Sequence, residues 1–200
     1  MNLENLAQNW NFDQIFDALD KTGFALLDTA YPAEFLNKVR EECLGNLQQF
    51  REAAIQNGVV SKIRSDHILW IEENFEQATN HTKALEYLGQ QFNQYFFSNI
   101  REIEAHFACY DAGEYYALHR DNPQQKNNRI LSCVFYLHES WQADWGGQLR
   151  LQDKNDEWHI IEPLPNRIAI FQSDLLHEVL PAQRQRLSIT AWLRSQTDLW

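Results

Sequence analysis

Apolar positions along this chain follow a helical rhythm in the first half and a strand rhythm in the second. Phe12-Asp-Gln-Ile-Phe-Asp-Ala-Leu19 spaces its apolar residues three and four apart, and Lys21-Thr-Gly23 supplies a C-terminal stop, which predicts a first helix. A short strand over 24–27 should follow. Pro32 suits a first helical turn, and Phe35, Leu36, Val39, Cys43, Leu47, Phe50 and Ala54 then repeat on one stripe as far as Asn57-Gly58, predicting one long helix. Leu85, Leu88, Phe92, Tyr95 and Phe96 predict another over 83–98. From about Glu102 the period changes to two. Residues 130–137 form a nearly unbroken apolar run, as in a strand covered on both faces, and 167–171 form a shorter one. With turns at Pro123, Gly146-Gly147 and Asn155-Asp156, this order predicts an α+β fold. Its core would be a double-stranded β-helix (jelly roll, cupin-like) over about 101–195, buttressed by N-terminal helices within about 1–100. Residues 1–200 would make a single domain.

Composition narrows the setting. The three cysteines, Cys43, Cys109 and Cys133, are odd in number and lie in apolar stretches, which predicts buried free thiols in a reducing compartment. The N-terminal Met1-Asn-Leu-Glu-Asn-Leu-Ala-Gln-Asn-Trp10 lacks a basic start and an apolar centre, and no stretch approaches the roughly 18 apolar residues of a membrane span. A cytoplasmic protein with no membrane association is expected. The net charge of −11 repels polyphosphate, so a nucleic-acid partner is not expected, and a neutral or basic partner suits the surface better.

The chemistry concentrates in four residues. His119 and Asp121 are two apart, so on an extended backbone both project to one face, where one metal can take both. His177 lies 56 residues beyond Asp121, far enough to arrive from another strand, as from across a barrel. Two imidazoles and one carboxylate hold Fe(II) on one triangular face and leave the opposite positions open. A zinc hydrolase would use a similar set with a separate general base, usually on a His-Glu-x-x-His helix, and the chain has no such motif. Arg186 follows nine residues after His177, where Arg186, Ser188, Thr190 and Trp192 alternate with Leu187, Ile189, Ala191 and Leu193. A buried arginine on that polar face needs an anionic partner, for which its planar fork suits a carboxylate. Arg184 has the same parity. His67, His81, His106, His138 and His159 are taken as ordinary core or surface histidines, and Asp66 with Arg129 as an ion pair holding an entrance loop.

Seven runs carry a wider pattern: Ile63-Arg-Ser-Asp-His-Ile-Leu-Trp-Ile71, Ala108-Cys-Tyr110, His119-Arg-Asp-Asn-Pro123, Ser132-Cys-Val-Phe-Tyr-Leu137, Trp145-Gly-Gly-Gln-Leu-Arg150, His177-Glu-Val-Leu-Pro-Ala182 and Arg186-Leu-Ser-Ile-Thr-Ala-Trp192. From about Val60 to Leu193 the chain resembles the Fe(II)/2-oxoglutarate-dependent dioxygenases. Within them it is similar to the prolyl 4-hydroxylases acting on the hypoxia-inducible factor and to their bacterial relatives acting on elongation factor Tu. Arg64-Ser-Asp66 with Trp70-Ile71 is the most discriminating run. The departures are Ser65, where eukaryotic members often have Gly, and a segment from Tyr110 to His119 that is one residue shorter.

The resemblance implies Fe(II) held by His119, Asp121 and His177, the far carboxylate of 2-oxoglutarate gripped by Arg186, dioxygen as cosubstrate and ascorbate as a reductant. It places Tyr110, Tyr136, Thr190 and Trp192 around the 2-oxoglutarate. Arg64, Asp66, Trp70 and Tyr116 fall near the substrate entrance, with the loop after Arg64-Ser-Asp66 closing over an extended peptide. The implied reaction is hydroxylation of a protein's prolyl residue at C4, with elongation factor Tu a candidate partner. Two alternatives stand beside it: a hydroxylase of a free amino acid or small metabolite, and a non-catalytic sensor of iron or 2-oxoglutarate.

Overall fold

The alternation in the second half of the chain builds two antiparallel sheets packed face to face. In the computed structural model, residues 6–53, 63–122 and 128–195 are described. The helices are α1 (Phe12–Thr22), α2 (Ala33–Gly45) and α3 (Glu76–Phe96). The strands are β1 (Phe24–Leu27), β2 (Arg51–Glu52), β3 (His67–Trp70), β4 (Ile100–Tyr110), β5 (Tyr116–His119), β6 (Arg129–Tyr136), β7 (Leu149–Gln152), β8 (Trp158–Ile161), β9 (Ile168–Gln172), β10 (His177–Val179) and β11 (Arg186–Ser195). The larger sheet runs β1-β9-β6-β11-β4-β3-β2 and the smaller β5-β10-β7-β8.

β6 and β11, in the middle of the larger sheet, show how the layers form. Leu131, Cys133 and Phe135 on β6, with Leu187, Ile189, Ala191 and Leu193 on β11, join Phe16, Leu19, Leu85 and Leu88 of the helices in one core. The opposite face of β6 puts Val134 and Tyr136 against Leu149, Leu151 and Ile161 of the smaller sheet, with Phe171 of β9. Each fully buried apolar side chain contributes about 1.5–3 kcal/mol, so the two faces of β6 weld three layers together. This is the helix-buttressed jelly roll expected from the pattern. All three cysteines are buried and free, and no described helix is long and apolar enough to cross a membrane.

Local signals fixed some boundaries and missed others. α1 is capped by the Asn11 side chain accepting from Gln14 N (3.1 Å), and it ends at Gly23, whose φ of 83° lets its N–H close onto Leu19 O. The long helix expected to continue from Pro32 toward Gly58 instead stops at Gly45. Asn46 folds its side chain back onto Glu42 O (2.8 Å), a short 3-10 turn takes residues 47–49, and β2 follows. Phe50 remains buried because that turn keeps its helical phase. The expected end of that helix, 54–58, lies outside the described residues, as does the expected turn at Pro123. α3 begins at Glu76, seven residues before the expected start. Its first N–H groups are capped from α2, where the Glu42 carboxylate accepts from Gln77 N (3.1 Å) and Ala78 N (2.8 Å).

Candidate functional site

His119 closes β5 and His177 opens β10, and the two are direct cross-strand partners, with ring centroids 4.2 Å apart. The second histidine therefore comes from the adjacent strand of the same sheet and not from across the barrel. Opposed residues of an antiparallel pair share a face, which is what aligns the rings. Asp121 lies just past the end of β5 and turns inward. Its Oδ1 is 3.5 Å from His119 Nε2, its Oδ2 is 3.6 Å from His177 Nε2, and the three donor groups lie within 4.8 Å of one another.

Tautomers follow from the outer contacts. His119 Nδ1 lies 2.8 Å from Ala117 O and His177 Nδ1 lies 2.9 Å from Leu175 O. A carbonyl only accepts, so both Nδ1 atoms donate and both Nε2 atoms present a lone pair to the centre. Asp121 Oδ2 accepts from the Ser132 hydroxyl of β6 (2.7 Å), which is 2.9 Å from Ser173 Oγ. Burial would raise the Asp121 carboxyl, but the adjoining His177 and His119 and the Ser132 hydrogen bond outweigh it and hold the group well below the usual carboxylate range. Burial likewise lowers His177 to about 4, with Asp121 opposing it. An ionised carboxylate and a neutral His177 are protonation states that suit binding of a divalent iron.

On the larger sheet, Arg186 opens β11 and is 1% exposed. Its Nε donates to Gly147 O (2.9 Å) and its Nη1 to Ser188 Oγ (3.3 Å), both neutral acceptors. The rings of Tyr110 and Tyr136 each lie 5.0 Å from its guanidinium carbon. Among the described residues no carboxylate pairs with it. A buried cation with no anion is costly by itself, so the pocket fits an anionic ligand. Tyr136 Oη and Trp192 Nε1 are also buried without hydrogen-bond partners among the described residues. Burial raises the Tyr136 and Tyr110 phenols, with Arg186 offsetting part of that, so both remain protonated donors. Arg184, the alternative of equal parity, is exposed beside Trp145. Gly147 has φ of 68°, and a Cβ there would meet Arg186 Cδ at 3.1 Å, so this glycine admits the arginine.

Arg64, Tyr110, Tyr116, Thr190 and Trp192 line the same cavity as the three ligands and Arg186. Tyr116 stacks on His119 (3.6 Å between centroids, planes 15° apart), and Arg64 lies 4.4 Å over Tyr116. Three further expectations are corrected. Asp66 does not pair with Arg129: it accepts two bonds from Arg64 (2.7 and 2.6 Å), two residues away, while Arg129 bonds Glu104 (3.1 Å) and lies over Trp192. The residues after Asp66 are no closing loop, because they form β3 and pair with β4. His106 is more than a core histidine, since it contributes to the cavity wall. Its position four residues before Tyr110 on β4 gives it the same face, a signal present in the sequence. Trp70 does not line the cavity. It stands 45% exposed with its ring edge-on to His106 (5.1 Å). Of the remaining histidines, His81 is buried against Tyr31, His138 against Trp141, and His159 bonds Asp153.

Comparison with known proteins gives the family. The family model described as "2OG-Fe(II) oxygenase superfamily" matches residues 105–194. Prolyl hydroxylase EGLN3 of Mus musculus is 30% identical over 96% of this chain and 85% of its own length. A Pseudomonas putida prolyl-4-hydroxylase structure superposes with a TM-score of 0.86 at 32% identity, over 93% of this chain and 100% of that one. A Trichoplax adhaerens prolyl hydroxylase, solved with a hypoxia-inducible-factor oxygen degradation domain peptide, gives 0.86 at 27% identity over 92% and 89%. The chain belongs to the 2OG-Fe(II) oxygenase superfamily, among its prolyl hydroxylases, and takes Fe(II), 2-oxoglutarate and dioxygen.

Proposed function

We propose that this chain hydroxylates a prolyl residue of a protein substrate at C4, with His119, Asp121 and His177 as the iron ligands and Arg186 as the 2-oxoglutarate anchor. The observation that carries the site assignment is the meeting of two features across one cavity: a carboxylate with two imidazoles whose Nε2 atoms converge, and a buried guanidinium that among the described residues bonds neutral acceptors. A cosubstrate with a metal-chelating end and a free carboxylate end fits both. When bound, iron, 2-oxoglutarate and dioxygen supply the oxidising power for C–H hydroxylation, with succinate and carbon dioxide as the other products.

The chain's own residues do the positioning. Tyr110, Thr190 and Trp192 line the cavity and, with Tyr136 beside Arg186, are assigned to the cosubstrate; the Tyr136 hydroxyl and Trp192 N–H, buried with no hydrogen-bond partner among the described residues, are donors for its oxygens. The Arg64–Asp66 pair fixes the cavity wall through Tyr116, which in turn holds the His119 ring. Arg64, Asp66, Trp70 and Tyr116 are assigned to the substrate side, with Trp70 at the outer rim. The cytoplasm is the proposed location, ascorbate the proposed reductant, and elongation factor Tu the first protein to test, as the substrate of the bacterial relatives that the motifs resemble.

The experiment is anaerobic addition of Fe(II) and 2-oxoglutarate to metal-free protein, monitored for the visible charge-transfer band of the chelate. Oxygen is then admitted with proline peptides, including one from elongation factor Tu. The band, succinate and a peptide heavier by one oxygen on proline support the proposal. Succinate with no oxidised peptide refutes the protein-substrate assignment.

A further inference from the structure

Cross-strand pairing lines up a row of side chains on the inner face of the larger sheet. Trp70 of β3 pairs with His106 of β4, His106 with Thr190 of β11, and Thr190 with Val134 of β6. Directly opposed residues share a face, so the row leads from the exposed rim inward. Trp70 is 45% exposed at its outer end, whereas His106, 2% exposed, lines the cavity together with Thr190 and Val134. Along this row His106 is the first polar side chain inward of Trp70. The Trp70 and Trp192 rings lie 5.1 and 5.2 Å from its own.

One nitrogen of the His106 imidazole has nothing to bond among the described residues. This Nδ1 is fully buried and, unlike the Nε2 atoms of His81 and His138, which share that condition, it belongs to a side chain on the wall of the ligand cavity. Buried polar groups are nearly always satisfied, and one left open on a cavity wall points to a ligand atom that satisfies it. Burial lowers the His106 pKa to about 3, so the ring is neutral and carries one N–H. The chemistry of a peptidyl proline complements that donor. Its nitrogen has no hydrogen, so the backbone around it offers carbonyl acceptors and a flat apolar ring, and the flanking indoles suit that ring.

We propose that His106 is a specificity-determining residue, its imidazole N–H donating to a backbone carbonyl at the target proline while Trp70 and Trp192 flank the pyrrolidine ring. This rests on the prolyl hydroxylase reading of the site. It makes His106 a reader of substrate and leaves the metal and cosubstrate to the residues already described.

The test compares the wild-type protein with His106→Phe, which keeps an aromatic ring between the indoles but removes the N–H, and with His106→Gln, which restores a donor. Each is assayed for proline-peptide hydroxylation and for succinate formed per peptide hydroxylated. The expected result for His106→Phe is a peptide KM raised about tenfold, the loss of about 1.4 kcal/mol. More succinate should be released without peptide oxidation, while the KM for 2-oxoglutarate and the metal affinity should change by less than about twofold, within the noise of about 0.4 kcal/mol. His106→Gln should recover much of the peptide KM. In the wild-type protein loaded with Zn(II) and 2-oxoglutarate, the His106 ¹⁵N imidazole signals should shift on peptide addition. An unchanged peptide KM in His106→Phe, or equal losses in peptide, 2-oxoglutarate and metal binding, would overturn the proposal and leave the prolyl reading intact. If wild-type protein makes succinate but oxidises no proline peptide, both fall, and the wild-type arm alone reveals it.

Discussion

Replacing Arg186 with methionine separates a ligand anchor from a structural cation. In the ligand-free protein the guanidinium is fully buried, and it donates to Gly147 O and Ser188 Oγ, with no carboxylate partner among the described residues. Arg186→Met leaves those two acceptors unsatisfied, at about 1–3 kcal/mol each if no water replaces the donor. It also relieves the burial of an unpaired charge, worth several kcal/mol. The opposing effects should leave the ligand-free variant within about 2 kcal/mol of wild type. Binding of 2-oxoglutarate has no such compensation. Two charged hydrogen bonds to its far carboxylate contribute about 1.5–3 kcal/mol each, so their loss should weaken binding by about a hundredfold or more. Thermal unfolding of the metal-loaded, oxygen-free protein reads both quantities. At a concentration a hundred times its Kd the cosubstrate should stabilise wild type by about 2.7 kcal/mol, or about 5–10 °C in a chain of this size. The variant should show almost no shift at that concentration. A variant that retains the full shift, or one whose ligand-free form loses more than about 4 kcal/mol, would show that Arg186 braces the fold instead of gripping the ligand.

Asp121→Ala should abolish Fe(II) binding measured by anaerobic titration, whereas His67→Ala should leave it unchanged. Ser132→Ala, which removes the hydroxyl donated to Asp121 Oδ2 at 2.7 Å, should weaken metal binding about 10–100-fold, with Ser132→Thr restoring it. An affinity unchanged by loss of the hydroxyl would show that the Asp121 carboxylate needs no outer support. Arg64→Ala leaves the fully buried Asp66 carboxylate unpaired, and should cost about 3–5 kcal/mol in urea unfolding. Asp66→Asn added to it should recover much of that loss, and no recovery would locate the damage in the Tyr116 stacking instead. Burial lowers His81, His106 and His138 to about 3 each. The folded state then binds fewer protons than the unfolded one, so stability is complete above about pH 6.5 and falls as the pH drops toward 3. Each histidine contributes a slope of up to about 1.4 kcal/mol per pH unit. In metal-free protein, His81→Gln should flatten the urea-midpoint profile by about that amount, and an unaltered slope would mean that His81 is protonated in the fold.

What the sequence made legible was whatever a local pattern decides. Gly23 announced the end of α1, and the alternation through Arg186 and Trp192 placed one face of β11 in the cavity and the other in the helical core. What stayed hidden depended on partners distant in sequence. The start of α3 is set by Glu42, some 35 residues upstream, whose carboxylate caps N–H groups that no local residue satisfies. The early stop of α2 at Gly45 was masked because Leu47 and Phe50 preserve the apolar stripe after the helix itself has ended. His106 passed for a core residue because burial looks the same from the sequence whether a side chain faces packed carbon or a cavity. The Asp66 partner, by contrast, is local: Arg64 and Asp66 are two apart, so on an extended backbone their side chains project to one face and meet there.

The nine-residue spacing from His177 to Arg186 acquires a physical meaning once the sheets are in place. His119 and His177 belong to β5 and β10 of the smaller sheet, while Arg186, Tyr110, Tyr136 and Thr190 belong to β11, β4 and β6 of the larger one. The chain crosses between the sheets at Pro181 and Ala182, where Gly146 pairs with Ala182 and Gly147 N donates to Pro181 O. That crossing leaves no room for a side chain at Gly146, since a Cβ there would lie 2.3 Å from Pro181 O. Gly147, the next residue, also supplies the carbonyl that orients Arg186. The metal ligands and the anion anchor are thus held on opposite layers and fixed in relation to each other by one glycine corner. A cosubstrate bound at both ends must bridge those layers, so its binding energy acts directly on the packing of one sheet against the other.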